Sequence, residues 1–392
     1  MEPKIIFVDD EINVLNGLKR SLYASQFKWK ASFAQSGKEA LDLLKSERCD
    51  IIISDIKMPG MDGGELLKIV KKNYPHIVRF ALSGFNEEEL AIQSSNTVHQ
   101  YFAKPCNWNL LREKIEPVMI LRELIVNNET IELINSGDVV PALPEIYYKL
   151  EKELNSEDIS IHRIVNIISK DMALTAKILQ LSNSAYFGAV TQITNLHQAV
   201  TMLGINIIKS LVLYINVFNF VNKNERIKNY IEELWNHSIM VASLSKQIME
   251  FFTKDRLKSE RAYIAGILHD LGKIIQLSLL LRMGKENMYP MEDKESKELI
   301  GANHCELGAY LLSLWGLPKE IVDGVLLHHT APVIESSNMS VHGAVQLANS
   351  LAGLKYEDPY VLDAMNSNEL VWELIESLKN GGGKDENTSL TG

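Results

Sequence analysis

The sequence predicts two domains of different fold class, a doubly wound parallel α/β domain of (βα)5 type followed by an all-helical domain. In residues 1–122, five short apolar runs alternate with amphipathic helical patterns, which is typical of a parallel sheet with helices on both faces. From Leu143 onward, apolar residues recur at helical spacing without an alternating strand pattern. A length of 392 residues, of which 46% are hydrophobic and 23% charged, suits two or three globular domains.

The predicted sheet has five strands, each followed by a helix. The strands are 4–8, 29–34, 51–55, 77–82 and 98–103. The helices are predicted from apolar side chains three or four residues apart, such as Leu18 and Leu22 in the first helix. Ser36 and Glu39 have the spacing of a capping box at the start of the second helix, and Asn86 begins the fourth.

Composition and helix-breaking residues divide the rest of the chain. Residues 123–137 are predicted to form a helical linker that ends at Gly137, with Pro117 upstream as a kink or a helix boundary. The helical domain is predicted to span 138–360. Residues 361–392 are predicted to form a C-terminal helix and a disordered tail, because three consecutive glycines precede a polar segment.

Charge, cysteine content and hydropathy limit the environment of the protein. The net charge of −10 argues against nucleic acid or a membrane as partner, since the field of the protein would repel phosphate. Three scattered cysteines predict neither a disulfide framework nor a thiolate metal site, and they favour the reducing cytoplasm. The N-terminus lacks the features of a signal peptide, and the most apolar stretch, 210–221, is too short to span a bilayer.

Polar side chains stand at the ends of the predicted strands. Asp9 and Asp10 follow the first strand, Asp55 ends the third, Ser83 follows the fourth and Lys104 the fifth. The carboxyl ends of parallel strands share one edge of the sheet, where such folds place their ligand chemistry. Three crowded carboxylates need a cation, and oxygen ligands suit Mg²⁺. With a hydroxyl and an ammonium opposite, the pattern predicts metal-assisted phosphoryl transfer onto a carboxylate.

This pattern, together with Asp-Ile-Lys-Met-Pro-Gly-Met-Asp-Gly at 55–63, resembles the receiver domain of two-component response regulators. The resemblance covers residues 1–122 and implies that Asp55 is phosphorylated by a sensor histidine kinase or a phosphotransfer protein. It also implies that Mg²⁺ is held by Asp9, Asp10, Asp55 and the backbone carbonyl of Lys57.

The same resemblance assigns the residues that detect the phosphoryl group. Ser83 and Lys104 occupy the positions of the phosphate-sensing hydroxyl and ammonium of the family. Tyr101, three residues before Lys104, occupies the position of the switch aromatic. We therefore expect phosphorylation to be reported at the fourth and fifth strands.

The second half of the chain resembles the HDOD domain, an output module related to the HD phosphohydrolases. The resemblance rests on Ile168-Ser-Lys-Asp171, Ala265-Gly-Ile-Leu-His-Asp-Leu-Gly272 and Trp315-Gly-Leu-Pro318. HDOD domains are generally regarded as non-catalytic. The resemblance therefore implies that a receiver controls an interaction module, which acts on a downstream protein that the sequence does not identify.

Several histidines follow the order of the metal ligands of HD hydrolases. They are His237, His269 with Asp270, His304, His328 and His329, with Asn349 at the position of the last ligand. Imidazole and carboxylate donors suit Fe, Mn, Zn or Ni. Asn349 replaces an aspartate and removes a charge, and no GYP motif follows the last histidine. Two interpretations stay open: residual packing histidines in an output module, or a metal site.

The predicted protein is thus a cytoplasmic response regulator of a phosphorelay with a non-catalytic HDOD output. The alternative is a receiver-gated, metal-dependent phosphodiesterase or phosphohydrolase of the HD superfamily. Metal content and turnover of a phosphodiester would separate the two. A homodimer is compatible with the sequence, and neither nucleic acid nor a membrane is expected as a partner.

Overall fold

The structure is a computed structural model that describes most of the chain. The described residues are 3–24, 29–83, 97–104, 108–140, 144–154, 156, 158–182, 193–221, 227–330 and 339–352. The helix predicted to begin at Asn86 and the predicted tail 361–392 lie outside these residues.

A five-stranded parallel sheet forms the centre of the first domain, with strand order β2-β1-β3-β4-β5. The strands are β1 Lys4–Val8, β2 Lys30–Ala34, β3 Ile51–Asp55, β4 Val78–Ser83 and β5 Gln100–Ala103. Val8 lies beside Ser54, and Ser83 lies beside Ala103. The register therefore aligns the carboxyl ends of these strands at one edge.

Helices cover both faces of this sheet, so the predicted α/β class is confirmed. They are α1 Ile12–Ala24, α2 Gly37–Ser46, α3 Gly63–Asn73 and α4 Trp108–Leu124. Ser36 caps α2 by accepting a hydrogen bond from the N–H of Glu39 at 3.2 Å. The sequence predicted either a kink or a helix boundary at Pro117. Helix α4 continues through Pro117, so the prediction of a boundary is wrong.

The second domain is helical, as predicted. A linker helix, α5 Asn128–Ser136, ends at Gly137 with φ 77°. The helices that follow are α6 Glu145–Leu154, α7 Ile161–Ile168, α8 Met172–Ser182, α9 Leu196–Leu203, α10 Ile205–Val221, α11 Lys228–Thr253, α12 Arg256–Leu268, α13 Leu271–Arg282, α14 Asp293–Leu299, α15 His304–Leu314, α16 Lys319–Leu326 and α17 Val341–Ala352.

The two faces of the sheet belong to different clusters of buried side chains. Ile6 and Ile52 face α2 and α3 in the smaller cluster. Phe7 and Phe80 face α1 and α4 in the larger cluster, which continues without a break into the helical domain. Helix α4 also packs against α15. The two domains therefore share one hydrophobic core instead of being joined by an exposed linker.

One helical stretch among the described residues, Arg256–Arg282, is long and apolar enough to cross a membrane by length and composition. Its most apolar window is 89% buried inside the protein, and it consists of α12 and α13, which meet at His269 and Asp270. The helices Leu196–Leu203 and Ile205–Val217 also pass this test when taken as a pair, but they are bent by 110°. Burial of the window is typical of a core helix.

Candidate functional site

An acidic pocket at the carboxyl edge of the sheet is formed by Asp9, Asp10 and Asp55. One carboxylate oxygen from each lies within 4.8 Å of the others. Asp9 and Asp55 are buried, whereas Asp10 is exposed. Buried carboxylates this close repel one another unless a cation neutralises them. An all-oxygen donor set that is open to solvent on one side fits Mg²⁺, which usually keeps several water ligands.

Lys104 supplies a fixed positive charge to this pocket. Its Nζ lies 2.8 Å from Asp9 Oδ2 and 2.9 Å from Asp55 Oδ2. Burial alone would lower the pKa of Lys104, but hydrogen bonds and charge attraction from Asp9 and Asp55 outweigh it and raise the pKa. The charged ammonium therefore ties the end of β5 to the ends of β1 and β3.

The other predicted receiver residues lie around this ion pair. Ser83 is the last residue of β4, and its carbonyl accepts a hydrogen bond from the N–H of Lys104 at 2.9 Å. Lys57 lies in the turn two residues beyond Asp55, where its carbonyl stays a predicted ligand. The Tyr101 ring is half-buried on β5 and contacts Tyr148 of α6.

Gly63 allows α3 to begin directly beside the strand that carries Asp55. A Cβ at this position would lie 1.9 Å from the carbonyl oxygen of Asp55. The N–H of Gly63 instead donates to the carbonyl of Ile56 at 2.8 Å. Only glycine permits this approach of two backbone segments, which explains the glycine that closes the 55–63 motif.

Replacing Lys104 with methionine is expected to tighten Mg²⁺ binding by about tenfold or more, because the three carboxylates lose their internal counter-charge. Isothermal titration of the full chain with Mg²⁺ would measure the change. Lys72→Met, at the exposed end of α3, is the matched control and should leave the affinity unchanged. Equal affinities of native protein and Lys104→Met would contradict the ion pair as described.

A second cluster of polar side chains is buried in the helical domain, where α12 ends and α13 begins. His269 and Asp270 form this junction and are 0% and 2% exposed. The Nε2 atom of His269 lies 3.2 Å from Asp270 Oδ2. The Nε2 atoms of His304 and His328 lie 3.5 Å and 3.7 Å from Asp270 Oδ1. The structure therefore brings three of the predicted metal-ligating histidines together around the carboxylate of Asp270.

Hydrogen bonds decide which nitrogen of each imidazole carries the lone pair. The Nδ1 atoms of His269 and His328 lie 2.8 Å and 2.7 Å from the carbonyl oxygen three residues earlier, so each Nδ1–H donates. His304 Nδ1 lies 3.0 Å from a carboxylate oxygen of Asp293 and donates likewise. In the neutral rings the Nε2 lone pairs therefore face Asp270, as in metal sites whose ligands are oriented by outer hydrogen bonds.

Lone pairs that face carboxylate oxygens require a positive charge between them. His269 Nε2 and Asp270 Oδ1 are buried without a hydrogen-bond partner among the described residues. A metal ion between the two atoms would satisfy both of them. The imidazole and carboxylate donors fit Fe, Mn, Zn or Ni. Lys273 supplies part of the charge, with Nζ at 2.7 Å from Asp270 Oδ2.

The remaining predicted ligands lie at the border of this cluster. His237 Nε2 is 3.8 Å from Asp270 Oδ2 and 3.0 Å from Asn349 Oδ1, so the amide of Asn349 orients His237 and adds no charge. His329 is exposed, with its ring centroid 4.2 Å from that of His328. Burial lowers the pKa of His237 to about 4 and that of His328 to about 3. These rings are therefore neutral at pH 7.

Three neighbours of the cluster were missed by sequence reasoning. Cys305 Sγ lies 3.5 Å from His304 Nε2, although the scattered cysteines predicted no thiolate ligand. Burial raises the pKa of Cys305, so the side chain is a neutral thiol at pH 7. Lys273, one helical turn after Asp270, could have been found from its spacing. Asp293 carries no local signal, because only the packing of α14 brings it to His304.

Comparisons with known proteins match both halves of the chain. The family model of the response regulator receiver domain matches residues 5–116, and that of the HDOD domain matches residues 140–331. Sporulation initiation phosphotransferase F of Bacillus subtilis (strain 168) is 31% identical over 127 residues, which cover 31% of this chain and 98% of that protein.

Longer matches reach into the helical half. An uncharacterized protein of Treponema pallidum (strain Nichols) is 24% identical over 259 residues, 63% of this chain and 49% of that protein. The crystal structure of an HDOD domain protein of unknown function from Geobacter sulfurreducens is 22% identical, with a TM-score of 0.42, and covers 62% of this chain and 79% of its own. The chain spans about half or less of the length of the first curated relatives it matches.

The parallel sheet with an acidic pocket at its carboxyl edge belongs to the part of the chain that matches the receiver domain. The chain belongs to the response regulators and carries an N-terminal receiver domain followed by a C-terminal HDOD domain. Receiver domains typically use Mg²⁺ and interact with a histidine kinase or a phosphotransfer partner. HDOD domains are related to the metal-dependent HD proteins.

Proposed function

We propose that Asp55 accepts a phosphoryl group from a histidine kinase or a phosphotransfer protein, and that the HDOD domain transmits this signal as a non-catalytic interaction output to a downstream protein. The observation that supports this most directly is the ammonium of Lys104, which bridges Asp55 and Asp9 beside Asp10. It places a positive charge 2.9 Å from the buried carboxylate of Asp55, at an edge that solvent and a partner can reach. An ionised carboxylate is the form that acts as a nucleophile.

In the proposed transfer, a carboxylate oxygen of Asp55 attacks the phosphorus of a phosphohistidine. A P–O bond forms as the P–N bond breaks, and the electron pair of the broken bond returns to the imidazole nitrogen of the donor. Mg²⁺, when held by Asp9, Asp10, Asp55 and the Lys57 carbonyl, supplies positive charge to the phosphoryl oxygens. Lys104 lies within reach to exchange its contact with Asp55 for a phosphoryl oxygen.

The proposed organisation keeps the boundaries read from the sequence. The receiver is residues 1–122, the helical linker 123–137 and the output domain 138–360, with the predicted tail 361–392 outside the described residues. We place the protein in the cytoplasm, because its partners in phosphotransfer act there and its few cysteines suit a reducing compartment.

Incubation of the full chain with acetyl phosphate and Mg²⁺, followed by intact-mass spectrometry, tests the proposal. We expect the native protein to gain one phosphoryl group and Asp55→Asn to gain none. Asp62→Asn is the matched control, since Asp62 caps α3 and asparagine caps equally well. Undiminished labelling of Asp55→Asn, or labelling of the native protein that does not require Mg²⁺, would overturn the assignment.

A second function, metal-dependent phosphoester hydrolysis gated by the receiver, is supported by the imidazole lone pairs around Asp270. A metal held by these groups would supply an activated water. Metal analysis of protein purified without chelator, beside His269→Ala, tests whether the cluster binds a metal. Near-stoichiometric metal that is lost in the variant, together with turnover of a phosphodiester, would favour hydrolysis. Native protein without metal would favour a non-catalytic output.

A further inference from the structure

A second group of metal-ligating side chains lies beside the Asp270 cluster, where α15 begins and just beyond the end of α16. It consists of His304, Cys305, His328 and His329, each of which offers one donor atom within 4.8 Å of the others. His304, Cys305 and His328 are buried, at 6%, 4% and 1% exposure, whereas His329 is exposed. Three donors are thus fixed inside the domain, and the fourth lies on the side from which an ion would enter.

The distances between the buried donors match the edges of a tetrahedron around Zn²⁺. With Zn–N of about 2.0–2.1 Å and Zn–S of about 2.3 Å, two nitrogens lie about 3.3–3.4 Å apart, and nitrogen lies about 3.5–3.6 Å from sulfur. His304 Nε2 and His328 Nε2 are 3.3 Å apart. Cys305 Sγ is 3.5 Å from His304 Nε2 and 4.0 Å from His328 Nε2. An ion between these three atoms therefore requires only a small movement of side chains.

The hydrogen bonds of the two buried rings leave their other nitrogens facing each other. Nδ1 of His304 donates to the carboxylate of Asp293. Nδ1 of His328 donates to the carbonyl of Val325, so in the neutral rings both Nε2 atoms carry lone pairs. The thiol of Cys305 is a weak donor with a single proton, which can serve one of these lone pairs only. The other Nε2 then faces a lone pair at 3.3 Å, a repulsion that a cation between the rings removes.

We propose that this group binds one Zn²⁺ as a closed, four-coordinate site, with the donors His304, Cys305, His328 and His329. Thiolate and imidazole are the donors that Zn²⁺ prefers in such sites. On binding, a Zn–S bond forms as the S–H bond breaks, the electron pair stays on sulfur and the proton passes to solvent. Cys305 is the second residue of α15, and the N-terminus of a helix stabilises a thiolate.

The proposed zinc site differs from a hydrolase centre in what it leaves open. A catalytic zinc has three protein ligands and an open position for water, whereas a structural zinc has four protein ligands. With Cys305 and His329 as ligands, the ion has no position left for a water that attacks a phosphoester. His304 and His328 are then also withdrawn from a metal centred on Asp270. The site therefore suits a non-catalytic output, and it does not depend on phosphoryl transfer to the receiver.

Cobalt substitution of the full chain tests the zinc site, because Co²⁺ adopts the coordination of Zn²⁺ and reports it by absorption. The protein is purified without nickel affinity, stripped with a chelator and titrated with Co²⁺. We expect one equivalent of Co²⁺ to produce a sulfur-to-cobalt charge-transfer band in the near ultraviolet and the intense visible bands of a tetrahedral ion. Subsequent addition of Zn²⁺ is expected to abolish both sets of bands.

Variants of single ligands separate the zinc site from the metal position around Asp270. Cys305→Ser is expected to lose the charge-transfer band and to bind Co²⁺ about 100-fold more weakly or worse, since a hydroxyl of similar size is a poor ligand. Cys49→Ser, at a buried free cysteine of the receiver, is the matched control and should keep the band. His269→Ala should keep it as well. His329→Ala removes an exposed ligand, so it provides a second variant that should weaken binding while retaining the charge-transfer band.

Three results would overturn the zinc site. The first is Co²⁺ bound without a charge-transfer band, or with a band that Cys305→Ser retains. The second is a set of weak visible bands typical of five or six ligands, which would show an open position. The third is a native chain that binds no Co²⁺. Binding that is lost in His269→Ala but kept in Cys305→Ser would assign the metal to the position around Asp270 instead.

Discussion

Arg79→Lys is expected to lower the free energy of unfolding by about 3–6 kcal/mol although it keeps the positive charge. The guanidinium donates to the carbonyls of Ile77, Thr97 and Asn135, through Nη1, Nε and Nη2 respectively. A lysine ammonium on a flexible stem cannot reach three carbonyls in this planar arrangement. At about 1.5–3 kcal/mol for each charged hydrogen bond, the loss of two bonds gives the expected range.

A neutral side chain at position 79 shows how much the buried charge of Arg79 costs in stability. Burial lowers the pKa of Arg79 to about 9, and no carboxylate among the described residues pairs with it. Arg79→Met removes this desolvation cost along with the hydrogen bonds, so it is expected to destabilise less than Arg79→Lys.

Urea unfolding of both variants at pH 7 measures the difference in stability. Arg112→Lys is the control: it changes an exposed i,i+4 ion pair and should alter the free energy of unfolding by less than about 0.5 kcal/mol. A lysine variant as stable as the native protein would show that the carbonyls do not depend on the guanidinium.

Gly272→Ala is expected to destabilise the output domain by about 3 kcal/mol and to disrupt the cluster around Asp270. An added Cβ would lie 1.7 Å from the carbonyl oxygen of His304 and 2.9 Å from the N–H of Gly308. These are backbone atoms, so the clash cannot be relieved by a side-chain rotation, and α13 and α15 must separate. The separation would move His304 away from Asp270.

Urea unfolding and imidazole NMR signals of the Gly272→Ala variant would report both effects. Gly17→Ala is the matched control, because no atom lies within 4 Å of a Cβ at this helical position. It should stabilise the protein by about 0.5–1 kcal/mol. A Gly272→Ala variant with native stability would mean that α13 and α15 are farther apart than described.

The receiver site was largely predictable because each of its parts is local. Apolar runs identify the strands, and the residues that follow them fall at the carboxyl edge of any parallel sheet. Asp9, Asp10, Asp55 and Lys104 therefore come together as expected. The prediction was weaker where a local rule competed with packing. Pro117 does not end α4, because Ile115 and Val118 on either side are buried in the core and hold the helix.

In the helical domain, the sequence predicted which residues cluster but not how their side chains are oriented. The order of His237, His269, Asp270 and His304 in the sequence was enough to expect one cluster. Which ring nitrogen faces Asp270 depends on carbonyls and a carboxylate that the fold brings near.

By itself, the sequence determined the α/β and helical classes, the acidic pocket and the membership of the histidine cluster, since these follow from periodicity and from residues at element ends. Only the tertiary structure placed Cys305 and Asp293 beside the histidine cluster. It also decided the buried junction of Arg79 with Asn135 and the contact of Tyr101 with Tyr148. These depend on how elements distant in the chain pack, and the energies that select one packing are sums over many contacts that no local pattern contains.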